Sequence, residues 1–143
     1  MRVYLDNCCY NRPFDDQVQL KIRLETEAKL YIQQKILDKI YELAWSYVLD
    51  YENGLNPYDE RRNRIAPWRD IAVIDCIAEE SIILEAGKLQ AMGLKVFDSL
   101  HVACAIHMNC DYFITTDAPL IKKTITGVEV VDPIEFIRRE VKK

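Results

Sequence analysis

Hydrophobic residues along the chain form short apolar runs that alternate with longer segments in which apolar positions recur every three or four residues. The short runs predict strands at residues 2–6, 41–45, 112–115 and 128–131, and a short edge strand at residues 70–74. The longer segments predict amphipathic helices. This alternation is typical of an α/β domain built on a parallel sheet, here of about five strands.

The longest helix is predicted at residues 17–37, after a loop at residues 8–16. Its apolar stripe consists of Leu20, Leu24, Ala28, Tyr31, Ile32 and Ile36. The strand at residues 41–45 is followed by Ser46, which predicts the N-cap of a short helix ending at Asn56-Pro57. A further helix is expected from residue 59 to residue 68.

Three more helices are predicted in the second half of the chain. One carries Ala78, Ile82, Ala86 and Leu89 on its apolar face and closes at Gly93, in a left-handed C-cap position. The next, residues 97–108, is apolar almost all round and should be buried. Asp132-Pro133-Ile134-Glu135 has the pattern of a capping box and predicts a final helix toward Lys143.

The chain has 143 residues, of which 50% are hydrophobic, and this favours one folded domain spanning residues 1–143. No segment has the apolar run of a signal peptide or of a membrane span, so we expect a cytoplasmic protein that does not associate with a membrane. The net charge of −4 argues against tight nonspecific binding of nucleic acid.

Several kinds of chemistry are disfavoured by what the sequence lacks. The four glycines are too far apart for a Walker A or GxGxxG loop, which argues against nucleotide cofactors. The five cysteines include no CxxC pair, so we interpret them mostly as buried hydrophobic residues. His101 and His107 lie on different faces of one helix, and no serine elbow accompanies them, which makes a hydrolase triad improbable.

Acidic residues follow the predicted strands at the points where those strands end. Asp6 ends the first strand, Asp117 follows the strand at 112–115, Asp98 opens the buried helix, and Glu52 lies on the short helix after the second strand. Parallel neighbouring strands would bring these carboxylates to one edge of the sheet, where α/β proteins bind ligands. Clustered carboxylates need a cation to offset their repulsion, and oxygen ligands without His or Cys favour Mg²⁺ or Mn²⁺.

Each acid also has a simpler interpretation. Asp98 and Asp117 are each suited to capping a helix, Asp6 to beginning a turn, and Glu52 to a solvated surface position. For one residue alone, the simpler interpretation is about as good as the metal-ligand interpretation. The set taken together favours a metal pocket.

Four segments of the sequence resemble the PIN-domain family. They are residues 1–6 (MRVYLD), Ser46 with Glu52, residues 97–105 (FDSLHVACA) and residues 111–117 (DYFITTD). The segment from Asp98 to Asp117 is the most specific part of the likeness, which extends over the whole chain. The resemblance implies a PIN-like three-layer sandwich with helices on both faces of a parallel sheet, and catalytic and metal-binding acids at Asp6, Glu52, Asp98 and Asp117.

By the same resemblance the chain is expected to be a Mg²⁺- or Mn²⁺-dependent endoribonuclease, like the VapC-like toxins. The implied partners are an RNA substrate, an antitoxin protein and a second copy in a homodimer. One departure concerns the first acid, which is followed by Asn7-Cys8-Cys9 instead of the family's Thr or Ser and then Asn. A second hypothesis is a catalytically weak PIN-like scaffold that acts through a protein partner.

Supporting residues are predicted around the acids. Ser46, Thr115 and Asn7 are placed to support the carboxylates or metal-bound water, with helix capping as an alternative role for Ser46. Tyr10, Arg12, Arg61 and Arg62 are candidates for contacting the bases or phosphates of RNA. Packing or solvation is the alternative for all of these substrate candidates.

Overall fold

A computed structural model describes residues 1–142 and contains one parallel β-sheet. Its strands are β1 (Arg2–Leu5), β2 (Glu42–Ala44), β3 (Tyr112–Ile114) and β4 (Glu129–Val131), in the order β2-β1-β3-β4. Leu5 of β1 lies opposite Ile114 of β3. The prediction of an α/β fold with a parallel sheet is therefore confirmed.

Helices cover both faces of this sheet. They are α1 (Asn7–Asn11), α2 (Leu20–Leu37), α3 (Tyr47–Gly54), α4 (Asp59–Ile65), α5 (Trp68–Ile71), α6 (Glu80–Ala91), α7 (Val96–His107), α8 (Ala118–Ile121) and α9 (Pro133–Val141). A 3-10 turn, Arg12–Phe14, follows α1. Helix α2 packs against α9, and α6 packs against α7. None of the helices within residues 1–142 is long and apolar enough to cross a membrane.

The two central strands are buried on both faces, which explains their unbroken apolar sequences. Val3, Leu5 and Ile114 are inaccessible to solvent, and so are Tyr4 and Phe113. The rings of Tyr4 and Phe113 stack across β1 and β3 with centroids 5.2 Å apart. This packing fixes β1 against β3 and so fixes the loops that leave their carboxyl ends.

The predicted edge strand at residues 70–74 is wrong at its start, which is helical, and only its end pairs with β2. Trp68 and Ile71 begin and end α5, where a spacing of three residues brings both side chains to the core side, as a strand cannot. The chain then runs beside β2 with a single bridge between Ala44 and Ile74. The sheet formed by the described residues therefore has four strands, not five.

The predicted loop at residues 8–16 is mostly helical. The Asp6 carboxylate caps α1 by accepting from the Asn7 amide, and the helical turn buries Cys9 and Tyr10. Helix α2 begins at Leu20, later than expected. The predicted stripe on α2 holds for its members Ala28, Ile32 and Ile36, but Leu20, Leu24 and Tyr31 are exposed.

The polar residues of α2 explain the difference, because its buried side faces the 3-10 turn. Glu25 pairs with the Arg12 guanidinium at 3.2 Å, and the Thr26 hydroxyl donates to the Arg12 carbonyl at 3.1 Å. Helix α2 therefore buries a partly polar face that its apolar periodicity does not indicate.

The predicted helix ends are confirmed at three places. Ser46 accepts from the Leu49 amide as the N-cap of α3, and Asp132 accepts from the Glu135 amide as the N-cap of α9. Gly93 follows α6 with a φ of 103°, in the left-handed region. Lys143, toward which the last helix was predicted to run, lies outside the described residues.

Candidate metal site

Asp6 and Thr115 lie side by side where β1 and β3 end. The Asp6 carboxylate is buried and accepts from the Asn7 amide and from the Thr115 hydroxyl, each at 2.8 Å. The Thr115 hydroxyl in turn accepts from the Asp117 amide at 3.1 Å. One hydroxyl therefore links the loop after β1 to the loop after β3.

Glu52 reaches the same edge from α3 and meets His101 of α7. His101 Nε2 is hydrogen-bonded to Glu52 Oε1 and lies 3.8 Å from Asp6 Oδ1. Asp6, Glu52 and His101 each offer one ligand atom, and these atoms all lie within 4.8 Å of one another. Such a group could hold a metal ion.

The expectation that no histidine joins the acids is wrong. His101 is 1% exposed and lies one helical turn after Asp98 on α7. The spacing Asp98-x-x-His101 puts both residues on one face of the helix, and this was the signal available in the sequence.

A chain of hydrogen bonds holds the His101 ring. Tyr4 Oη lies 2.6 Å from His101 Nδ1 and 2.6 Å from Ser46 Oγ, and Ser46 also caps α3. Because Nε2 must carry a proton to donate to a carboxylate, a neutral ring accepts the Tyr4 hydroxyl proton at Nδ1. Ser46 therefore supports the site indirectly, through Tyr4, in addition to capping the helix.

Burial and neighbouring charges both shift pKa values at this edge of the sheet. Burial lowers the pKa of His101, but the Glu52 hydrogen bond and the charges of Asp6, Glu52 and Asp98 outweigh it, so the pKa is raised. Burial raises the pKa of Asp98, and the charges of Asp6 and Asp117 raise it further. The acids therefore share one electrostatic environment, in which a further positive charge would be favourable.

Asp98 and Asp117 line a neighbouring cleft of about 130 Å³ together with Lys95 and Lys123. Neither carboxylate is used as a cap: α7 begins after Lys95, and Asp117 precedes α8 without a side-chain hydrogen bond to it. Their carboxylates lie outside the group formed by Asp6, Glu52 and His101. The simpler capping interpretation therefore does not account for either residue.

Asn7 and Cys8 follow the first acid at the point where the sequence departs from the pattern of the family that it resembles. The hydrogen bond from Asn7 to Asp6 uses the backbone amide, so it does not depend on the Asn7 side chain. The Cys8 thiol lies 3.5 Å from the Asp6 carboxylate and 3.4 Å from the Thr115 hydroxyl. The departure therefore leaves the support of Asp6 in place.

Of the four residues expected to contact RNA, Tyr10 is buried and the three arginines are half-buried. Tyr10 is 0% exposed and packs edge-to-face on Trp45, so its ring cannot stack on a base in this conformation. The three arginines already have acidic partners: Arg12 pairs with Asp15 and Glu25, Arg61 with Asp15, and Arg62 with Asp59. Arg61 also lines a cleft beside Glu52.

The chain belongs to the PIN domain family, whose model matches residues 3–124. No curated protein sequence matches the chain.

Several solved structures share the fold. The chain has a TM-score of 0.60 to VapBC-1 from nontypeable Haemophilus influenzae, at 15% identity over 94% of this chain and 99% of that one. It has a TM-score of 0.59 to FitAcB from Neisseria gonorrhoeae, at 14% identity over 92% and 98% of the two chains. For VapBC2 from Rickettsia felis, bound to a DNA fragment from its promoter, the TM-score is 0.58 at 15% identity over 91% and 97%.

Proposed function

We propose that the protein is a Mg²⁺- or Mn²⁺-dependent ribonuclease that hydrolyses phosphodiester bonds in RNA, and that it is the toxin of a toxin-antitoxin pair. The observation that carries the proposal is the group of buried Asp6, half-buried Glu52 and buried His101 at the carboxyl edge of a PIN-domain sheet, with Asp98 and Asp117 beside it. The toxin role and the antitoxin partner rest on the family and on the VapBC relatives.

The residues present suit a divalent cation. Asp6, Glu52, Asp98 and Asp117 supply the carboxylate oxygens that Mg²⁺ and Mn²⁺ prefer. Partial burial and the charges of Asp6 and Asp117 raise the pKa of Asp98, so a cation at this edge would offset the repulsion. A bound cation would supply Lewis acidity toward water and positive charge for the phosphate.

The chain itself contributes fixed positions. Thr115 and the Asn7 amide hold the Asp6 carboxylate, and His101 holds the Glu52 carboxylate while Tyr4 sets the orientation of its ring. Groups held in this way need no rearrangement when a phosphodiester binds. We therefore propose His101 as a positioning residue and the four acids as the metal ligands.

Asp98→Asn tests the proposal directly. The parent chain should cut mixed cellular RNA with Mg²⁺ or Mn²⁺ and lose this activity in EDTA, whereas the variant should lose at least a hundredfold with either metal, because it lacks a proposed ligand. Glu60→Gln, on an exposed face of α4, is the control and should retain parental activity. Full activity of Asp98→Asn would overturn the assignment of the site.

The same pair of chains tests the toxin role. Induced expression of the parent should arrest bacterial growth, and expression of Asp98→Asn should not. Normal growth with a parent chain that cuts RNA in vitro would overturn the toxin role and leave the nuclease proposal standing.

A further inference from the structure

A cleft of about 280 Å³ adjoins the acidic group. Glu52 and Asn7 line it on the side of the acids, and it is further lined by Asn11, Leu55, Asn56, Pro57, Tyr58, Arg61 and Phe97. Asn7 directly follows Asp6 in the chain, so the cleft begins where the acidic group ends. A polymeric ligand bound at the acids would therefore continue into this cleft.

Exposed aromatic side chains are concentrated at the cleft. Tyr58 is 58% exposed and Phe97 is 42% exposed, although large apolar side chains are normally buried. Tyr51 stacks on Phe97 with centroids 5.8 Å apart and an angle of 24° between the rings. These rings offer flat apolar faces to solvent beside a strongly polar site.

Arg61 and two asparagines, Asn11 and Asn56, add polar groups to the cleft. The Arg61 guanidinium lies 4.7 Å from the centroid of the Tyr58 ring, and Arg61 also donates to the Phe14 carbonyl at 2.7 Å. The Asn56 amide donates to Asn11 Oδ1 at 3.0 Å. Because each amide nitrogen carries two protons, Asn56 keeps a second donor for a ligand.

We propose that this cleft binds one unpaired nucleobase of a single-stranded RNA whose adjacent phosphodiester lies at the acidic group. The proposal rests on the proposed function and names the substrate as unpaired RNA. Aromatic rings stack on any base, and amides bind base edges, which is how single-stranded RNA is commonly recognised. The volume lies just below the range of about 300–1,000 Å³ for drug-sized ligands, so it suits a single base.

A double-stranded region would not fit this arrangement, because its bases are stacked and paired and cannot enter a side cleft. A protein segment is the competing occupant, and the aromatic rings alone would suit it too. The position of the cleft directly beside Glu52 favours the substrate.

Steady-state cleavage separates the possibilities. With an unpaired oligoribonucleotide, Phe97→Leu and Tyr58→Leu should each raise KM about tenfold and change kcat less than twofold, because Leu keeps apolar volume but removes the ring. Phe97→Tyr should restore the parental KM. Tyr31→Leu removes an exposed ring from α2, distant in sequence and outside the cleft, and should change nothing.

A spectroscopic measurement removes the dependence on activity. An oligoribonucleotide carrying 2-aminopurine, mixed with the Asp98→Asn chain, should lose fluorescence as the base stacks in the cleft. The further substitution Phe97→Leu should largely abolish this quenching, and Tyr31→Leu should leave it intact.

The outcomes distinguish this inference from the function it rests on. A parent chain that cuts no RNA with either metal overturns the proposed function. A parent that cuts RNA while Phe97→Leu and Tyr58→Leu keep the parental KM and the parental quenching overturns the base cleft alone. Loss of binding to a protein partner in those variants, with RNA cleavage unchanged, would assign the cleft to that partner and overturn the proposal.

Discussion

Glu42, Asp50 and Glu52 lie close in sequence but in three different environments. Glu42 is exposed and pairs with Arg2 at 3.3 Å. Asp50 accepts from the Trp45 indole nitrogen at 2.9 Å and lies 3.7 Å from Arg69. Only Glu52 of the three meets His101, which supports its proposed role as the fourth acid.

Glu52→Gln should therefore weaken Mn²⁺ binding about tenfold or more and abolish RNA cleavage, because it removes a charged ligand held toward the other acids. Calorimetric titration of the purified chains with Mn²⁺ measures the effect on binding. Asp50→Asn and Glu42→Gln serve as matched controls and should bind Mn²⁺ as the parent does. The opposite pattern would show that α3 presents a different acid to the site.

Individual site residues differ in how far the sequence could predict them. Asp6 and Thr115 follow buried apolar runs, and sheet geometry alone brings the ends of such runs together. The partner of Glu52 could not be predicted in this way, because His101 meets it through the packing of α3 on α7. The spacing Asp98-x-x-His101 indicates only that His101 shares a helix face with an acid, and not that it meets Glu52.

At the scale of elements, α2 is unusual in burying a cation. Lys29 is 4% exposed, and within residues 1–142 it has no ion-pair partner, although its ammonium lies 5.6 Å from the centroid of the Tyr10 ring. Burial lowers the pKa of Lys29 to about 8. The folded chain therefore holds this proton less tightly than the unfolded chain does.

The sign of the resulting pH dependence follows from linkage. Below pH 8 Lys29 is charged in both the folded and the unfolded state, and the folded state bears the cost of desolvating this charge. Between about pH 8 and 10.5 Lys29 stays charged only in the unfolded state. The unfavourable contribution of Lys29 to the free energy of folding therefore shrinks as the pH rises. Lys29→Met should thus stabilise the chain at pH 7 by up to about 3 kcal/mol, at about 1.36 kcal/mol per pKa unit.

Thermal melts of the parent and Lys29→Met at a series of pH values measure this effect. The variant should melt several degrees higher at pH 7, and the gap should shrink as the pH rises from 8 to 10.5. Lys21→Met, at an exposed position of α2, controls for the general effect of removing a lysine. A gap between parent and Lys29→Met that stays constant with pH would show that Lys29 is not the titrating group.

Elements differ in predictability for a physical reason. Strands β1, β3 and β4 were predicted because they are short apolar runs in a buried parallel sheet. Helix α1 was missed because it depends on one cap from Asp6 and on the tertiary burial of Cys9 and Tyr10. Likewise, only tertiary packing decides that residues 68–71 form a helix instead of a fifth strand.

For the molecule as a whole, the acidic edge of the sheet sets a balance between stability and metal binding. Asp98→Asn should raise the melting temperature in EDTA by roughly 1–3 °C, because it removes one charge from a group whose members repel one another, and partial exposure of Asp98 keeps the gain small.

In saturating Mn²⁺ the parent should instead have the higher melting temperature and Asp98→Asn the lower one. A ligand that binds only the folded state raises the melting temperature, and the parent has the full set of proposed ligands. Differential scanning fluorimetry of both chains, with EDTA and with Mn²⁺, makes the comparison. A variant that melts several degrees below the parent in EDTA would mean that the Asp98 charge is structurally required.

The Thr115 hydroxyl that joins Asp6 to the loop after β3 has a consequence for synthesis of the chain. It connects residues 109 positions apart in sequence. In the sheet, β1 lies between β2, which follows it early in the chain, and β3, which follows it late. The Asp6 carboxylate therefore acquires this partner only after residue 115 has emerged from the ribosome. On the proposed function, a nascent chain would lack a complete acidic site until the residues around Thr115 are free to fold against β1.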